Sequence, residues 1–190
     1  MKTYLAPALR MTAVMLVLCC GIYTLIVWGF ARVAGPQGGA AELLLRDGKP
    51  VGALLVGQSF TSDRYFHGRP SAVDYNAEGS GGSNKGPSNP DYLATVQARI
   101  DTFLTHNPGV QRAAIPSELV TASGSGLDPD LSPDGARIQA KRIATARGLS
   151  EEAVLGLIDE QTDGPLLGLF GTPTVNVVEL NLALDALQQH

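Results

Sequence analysis

Residues 11–30 read MTAVMLVLCCGIYTLIVWGF, twenty positions without a charge, set between Arg10 and Arg32. As an α-helix rising about 1.5 Å per residue, such a run is ~30 Å long, which matches the hydrocarbon thickness of a bilayer. The run has no polar face, as a helix packed on the core of a soluble domain would have. A signal peptide's apolar region is shorter, about 7–15 residues, and ends at a small-x-small site. Here Arg32 stands where a small residue would precede cleavage after Ala34, and the small residues Gly39, Ala40 and Ala41 lie well past the run. The stretch therefore reads as a membrane anchor over 11–31, with a short flank at 1–10. A flexible exit at 32–42 follows, containing GPQGG. Tyr23 and Trp28 lie toward the C-terminal half, where aromatic rings reach the membrane interface. Lys2, Arg10 and the α-amine on one side, against Arg32 on the other, tilt the positive-inside balance toward a cytoplasmic N-terminus.

The anchor explains the composition. The 190 residues are 44% hydrophobic and only 17% charged, against about 25% charged in an average soluble chain. That length allows one domain and an appendage. Past Arg32, eleven basic residues face eighteen acidic ones, a formal charge of −7. An acidic domain repels phosphate backbones and anionic lipid heads, so nucleic acid is set aside as a partner. Both cysteines, Cys19 and Cys20, fall inside the span, which is compatible with an oxidising compartment for the rest. Leu18 before them is not the small residue a lipid-attachment site needs.

Beyond the exit, Leu43-Leu44-Leu45 and residues 51–56 predict two strands around an Asp47-Gly48 turn. Residues 59–90, dense in Gly, Ser, Asn and Pro, predict a long loop; Tyr65, Phe66, His67 and Tyr75 within it argue that it is ordered. Ser88 or Asn89 caps a helix with Pro90 in its first turn and a stripe of Leu93, Val96, Ile100, Phe103 and Leu104, ended by Asn107-Pro108. Ser132-Pro133 opens a second helix with Ile138, Ile143 and Ala144 inward, Gln139, Lys141, Arg142 and Arg147 outward, and Gly148 as its stop. Ser150 opens a third through Val154, Leu155 and Ile158. The tail from Val175 begins β-branched and turns helical through Leu180, Leu182, Leu184 and Leu187. The expected fold is α+β: a single N-terminal transmembrane helix, then a small soluble α+β domain over 43–190.

Signals for chemistry are sparse. His67, His106 and His190 have no second histidine or cysteine at ligand spacing, so a metal site has little support. Ser123 and Ser125, with Asp128 nearby and His67 upstream, resemble parts of a serine hydrolase, but the Gly-x-Ser-x-Gly elbow is missing. The Gly-rich run at 79–86 lacks the Gly-Lys-Ser/Thr of a phosphate loop, since Pro87 follows Gly86.

Taken in order, several stretches closely resemble the C subunit of the Kdp high-affinity potassium-transporting P-type ATPase, the KdpC family. They are Gly57-Gln58-Ser59-Phe60; Tyr65-Phe66-His67-Gly68-Arg69-Pro70-Ser71-Ala72; Ser80-Gly81-Gly82-Ser83-Asn84 with Ser88-Asn89-Pro90; LVTASGSGLD at 119–128; and VNVVELNLAL at 175–184. Lys85 departs from the pattern, an apolar residue being usual there. The resemblance implies a single-pass bacterial inner-membrane subunit that hydrolyses nothing on its own. Its implied partners are a channel-like potassium-binding subunit, an ATP-hydrolysing P-type subunit and a very small accessory subunit. It implies assembly and stabilisation of that complex, and a catalytic-chaperone role that raises ATP affinity, with no firmly bound cofactor and ATP met only through the hydrolytic subunit. A glutamine in the helix after the LVTASGSGLD block is implied in nucleotide binding, and Gln139 occupies that position. A cytoplasmic N-terminus would put Gln139 on the side away from ATP, so partner docking is the favoured role. Tyr65, Phe66, Arg69, Ser83 and Asn84 are the candidate docking residues. The alternative left open is a membrane-anchored extracytoplasmic serine hydrolase.

Overall fold

A computed structural model of the chain describes residues 2–46 and 48–187, and the chain divides into two units between Glu42 and Leu43. The first unit is helical: α1 (Lys2–Met15), a π-helical segment (Leu16–Tyr23) and α2 (Thr24–Ala34) follow one another directly. Tyr4–Ala34 has a mean hydropathy of 2.3 and no part of it is buried within the chain. At about 1.5 Å per residue its 31 residues run to ~46 Å, so the ends reach through the headgroup layers. The helix starts earlier than the uncharged run, and Pro7 lies inside its second turn, where the missing N–H forgoes the bond to the carbonyl four residues back. The Thr24 hydroxyl donates to the Cys19 carbonyl at 3.2 Å, bonding five residues back along the widened ladder. The Arg32 guanidinium lies over the Trp28 ring at 5.5 Å, a pairing suited to an interface. Gly35 leaves the helix in an extended conformation.

The second unit opens with β1 (Leu43–Arg46) and β2 (Lys49–Ala53), antiparallel, with the register slipping between Leu44 and Leu45, where Pro50 faces Leu45. Asp47 lies outside the described residues; Gly48 beside it takes the left-handed φ of 74° that a tight turn needs. Three short strands form a second antiparallel sheet: β3 (Asp130–Leu131), β4 (Thr162–Asp163) and the central β5 (Thr174–Asn176). Leu131 faces Val175 in the register, and so does Thr162 from the other side.

Among the described residues, four helices of this unit start on a side chain that accepts from a free backbone N–H, whereas α5 (Ala140–Arg147) does not. Asn89 caps α3 (Pro90–His106) through Tyr92 N at 3.0 Å. Ser132 caps α4 (Pro133–Arg137) through Gly135 N at 3.0 Å, and Ser150 caps α6 (Glu151–Glu160) through Ala153 N at 3.1 Å. Between α4 and α5 (Ala140–Arg147) the expected single helix breaks at Ile138 and Gln139; Gly148 ends α5 with φ 69°. The Asn176 amide oxygen accepts from Val178 N and Glu179 N, starting α7 (Val177–Leu187) directly off β5.

The core lies between α5, α6, α7 and the three-stranded sheet, built on Leu131, Ile143, Ile158, Val175, Leu180 and Leu184. Its largest fully buried side chain, Phe66, comes from the long loop. This corrects two expectations. Phe66 is a core residue and offers nothing to a partner. Gln139, Arg142 and Arg147, expected to point outward, are 0%, 7% and 8% exposed, because the loop carrying Phe66 covers that side of α5. Lys141 is exposed as expected, whereas Leu93, expected inside, is 53% exposed on an α3 that buries no residue.

Phe66→Ala should remove about 3–5 kcal/mol of stability, as for other large aromatic truncations in cores. Leu55→Ala, at a side chain 79% exposed, should stay within about 0.5 kcal/mol. Thermal melts of the detergent-solubilised chain would separate the two.

Candidate functional site

Residues 63–67 (DRYFH) run from a turn at Asp63 and Arg64 into irregular chain, and all five of their carbonyls accept from side chains. Arg142 Nη1 donates to the carbonyls of Asp63 (2.7 Å) and Tyr65 (3.0 Å). Arg147 Nε donates to the carbonyl of Arg64 at 2.6 Å. Asn181, from α7, accepts from Phe66 N at 2.8 Å and donates to the Phe66 carbonyl at 3.0 Å. Gln139 does the same for His67, at 2.9 and 3.1 Å. A side-chain amide carries the same donor and acceptor pair as a peptide unit, so Asn181 and Gln139 take the place of a neighbouring strand.

Gln139 is completely occupied. Besides His67, its Nε2 donates to the Gly135 carbonyl at 3.0 Å and its Oε1 accepts from Arg142 Nη2 at 2.7 Å. Two donors and two acceptor sites are thereby used inside a side chain that is 0% exposed. The kink between α4 and α5 places it there. Arg142 Nε completes the network by donating to Asn107 Oδ1 at 3.1 Å. Burial pulls the Arg142 guanidinium down to about 10, with Asp63 opposing.

The clamp continues at Asp185. Its carboxylate pairs with Arg147 (2.8 Å) and Arg46 (2.7 Å) and accepts from the Tyr65 hydroxyl at 3.1 Å. The Arg147 guanidinium also lies 4.7 Å above the Tyr65 ring. Tyr65 is thus half-buried and engaged through both face and hydroxyl. On the far side of the segment, the His67 ring meets His106 edge-on at 6.0 Å and bonds the Ser62 carbonyl at 3.0 Å. Burial chiefly, and then the charge of Arg142, pushes the His67 pKa below its ordinary value.

A second cluster joins the rest of the long loop to residues 123–128. Arg69 pairs with Asp128 at 2.9 Å, the Ser123 hydroxyl donates to the same carboxylate oxygen at 2.7 Å, and the Tyr75 hydroxyl donates to the Arg69 carbonyl at 2.6 Å. Ser71 Oγ donates to the Gly126 carbonyl at 2.7 Å and accepts from Val73 N and Tyr75 N. Gly126 has to be glycine: a Cβ there would collide with Val73 and lie 3.1 Å from the Gly81 carbonyl oxygen. Ser123 therefore serves a turn, its hydroxyl aimed at a carboxylate instead of a histidine. Ser83 and Asn84 are exposed at the end of the Gly-rich run, with Asn84 in the left-handed region at φ 51°. A cleft of about 430 Å³ beside the clamp has walls of mixed sign, among them Asp63, His106, Arg137, Lys141 and Glu151.

The structure brings Tyr65, Phe66 and Gln139 together in one network and links Arg69 to Asp128. The sequence reading overlooked Asn181, Asp185 and Asn107 as functional positions. Asn181 had a visible signal: a polar residue of poor helix propensity in the middle of the apolar run VVELNLAL.

Comparison with known proteins is consistent along the chain. The family model KdpC, K+-transporting ATPase, c chain, matches residues 5–186. A potassium-transporting ATPase KdpC subunit of Bacteroides fragilis is 52% identical over 190 residues, covering 99% of each chain. The same-named subunit of Flavobacterium psychrophilum is 54% identical over 180 residues, covering 95% of this chain and 96% of its own. That of Polaromonas naphthalenivorans is 50% identical over 191 residues, covering 99% and 97%.

Two outcomes test the clamp. Gln139→Ala leaves the His67 N–H and carbonyl buried without partners at about 1–3 kcal/mol each. Combined with Phe66→Ala, which frees the same segment, it should cost less than the sum of the single changes in a double-mutant cycle. Because the folded pKa of His67 is depressed, its neutral form is the one the fold favours. The stability it contributes is intact above 6.5 and is lost as pH falls through the lower folded value. The melting temperature should therefore fall more steeply below pH 6.5 in the parent than in His67→Gln. Asp130, whose pKa burial raises, acts with the opposite sign in both proteins.

Proposed function

The chain belongs to the KdpC family, the c chain of K+-transporting ATPases, and from that premise we propose that it is the anchored, non-hydrolysing subunit that assembles and stabilises such a complex. The observation that carries this is the match of one family model from residue 5 to residue 186, which takes in the span and the whole second unit together. On this reading the partners are the channel-like potassium-binding subunit, the ATP-hydrolysing subunit and the very small accessory subunit of the same complex. The site is a bacterial inner membrane crossed once, with the N-terminus cytoplasmic and the α+β unit outside.

The clamp supports a docking role. It holds a long, Gly-rich loop region in one conformation, so that docking would cost little ordering entropy. Tyr65, Arg69, Ser83 and Asn84 stay as candidate contacts. Ser123 gives the serine-hydrolase alternative no support, since its hydroxyl is committed to Asp128. Nucleotide contact through Gln139 would require the clamp to open, since all four of its hydrogen-bonding positions are used within the fold.

Removing the chain from cells that express the other subunits should leave those subunits unassembled on purification; a normal complex without it overturns the proposal. Gln139→Ala should lower complex yield and thermal stability together while the ATP dependence of the surviving complex stays unchanged. A shifted ATP dependence at full assembly would favour the chaperone role instead.

A further inference from the structure

The connection between β4 and β5 reads GPLLGLFGTP at 164–173, without a charge. Its four large apolar side chains all point away from the fold: Leu166 is 70% exposed, Leu167 82%, Leu169 80% and Phe170 63%. Isolated apolar side chains on a surface are ordinary, but four on one short turn are not.

The turn is built, not slack. Leu166 N donates to the Phe170 carbonyl at 2.9 Å and Phe170 N returns to the Leu166 carbonyl at 3.0 Å, closing the loop on itself. Gly168 N and Leu169 N donate back to Pro165 and Leu166. Leu167 and Gly168 both sit in the left-handed region, at φ 56° and 71°. Two successive positive φ values make a tight hairpin turn whose first position normally takes Asn, Asp or Gly. A leucine there adopts a disfavoured backbone conformation and gains no burial within the chain for it. Strain retained at an exposed apolar side chain points to a contact made outside the chain.

We propose that this turn is a docking plug: Leu166, Leu167, Leu169 and Phe170 insert into an apolar cleft on another protein subunit of the same potassium-transporting complex. The inference rests on the accessory-subunit reading above. Charge and composition select a protein over a bilayer. Segments that enter the lipid interface set Lys or Arg beside their apolar side chains, and residues 164–173 carry neither. The exposed acidic residues Glu160 and Asp163 lead into the turn, in a unit of net negative charge that anionic headgroups repel. The complementary surface is an apolar cleft whose rim is neutral or basic. The anchor assists: a chain already held in the membrane of the complex makes plug insertion a second, nearly intramolecular contact.

The test uses the full chain in its membrane complex. A benzophenone amino acid placed at Leu167 should give an ultraviolet-dependent adduct with another subunit, at a yield well above the same group at Thr105, exposed on α3. The double substitution Leu167→Asp, Leu169→Asp removes the apolar surface while placing at 167 a residue that tolerates the left-handed conformation. It should reduce co-purification with the other subunits about tenfold, in the range of an interface hot spot, at an unchanged melting temperature of the isolated chain. Adducts with lipid only, adducts with a second copy of this chain, the absence of any subunit adduct, or undiminished co-purification of the double variant each overturn the plug. In those cases the assembly role stands as long as the parent chain co-purifies. Failure of the parent chain itself to co-purify overturns both.

Discussion

The second unit depends on the hydrogen bonds that two amide side chains, Asn181 and Gln139, make to the backbone of Phe66 and His67. Irregular chain that enters the core at Phe66 without a neighbouring strand would leave the peptide groups around it unpaired. Two amides and two guanidiniums answer the carbonyls from 63 to 67 one by one, and Phe66 can then fill the core. Removing one member leaves buried groups unpaired, which costs more than the bond contributes when made. Arg147 is offset by Asp185, whereas Arg142 relies mainly on carbonyl and amide oxygens, with the Asp63 carboxylate farther off at 3.8 Å. A buried cation with so little ionic compensation is held by geometry, and its lowered pKa is the mark of that burial.

From this clamp the loop runs directly into the Arg69, Ser123 and Asp128 cluster, so that its first half, residues 63–75, is fixed although it is poor in regular structure. The chemistry of the two clusters is that of construction. Hydroxyls, amides and carboxylates in them are engaged with backbone or with one another. What the unit offers outward is shape: exposed loops on a rigid base, and an apolar turn between β4 and β5. That division suits a subunit whose work is to hold others, and potassium transport is the setting its family membership provides.

The span was legible because an uncharged run of bilayer length has few other readings. The caps Asn89, Ser132 and Ser150 and the stop at Gly148 were legible because a helix end is a local event, decided within about four residues. The change from strand to helix after Val175 showed in the side-chain types. Hidden from the sequence were the partners of the polar residues on α5. Gln139 and Arg142 look like a solvent face in their own helix; what buries them is a segment more than seventy positions earlier. Strands β3 and β4, two residues each, are too short to show a period. The break between α4 and α5, which places Gln139 inside, is not recorded in helical propensity. The functional reading came from motif blocks that resemble a known family; the residues by themselves had left a hydrolase open.

The clamp also dictates an order of events while the protein is made. Phe66 and its partner Asn181 are 115 positions apart, so the grip on the segment that anchors the core stays incomplete until α7 has left the ribosome. At synthesis rates of about 5–20 residues per second that interval is ~6–23 s. Closing so long a loop comes late in folding, since its entropy is lost before the contacts compensate. For that time Phe66 is without its full set of partners, the apolar faces of α5 and α6 join it only in the last part of the interval, and a tethered chain meets its neighbours in two dimensions throughout.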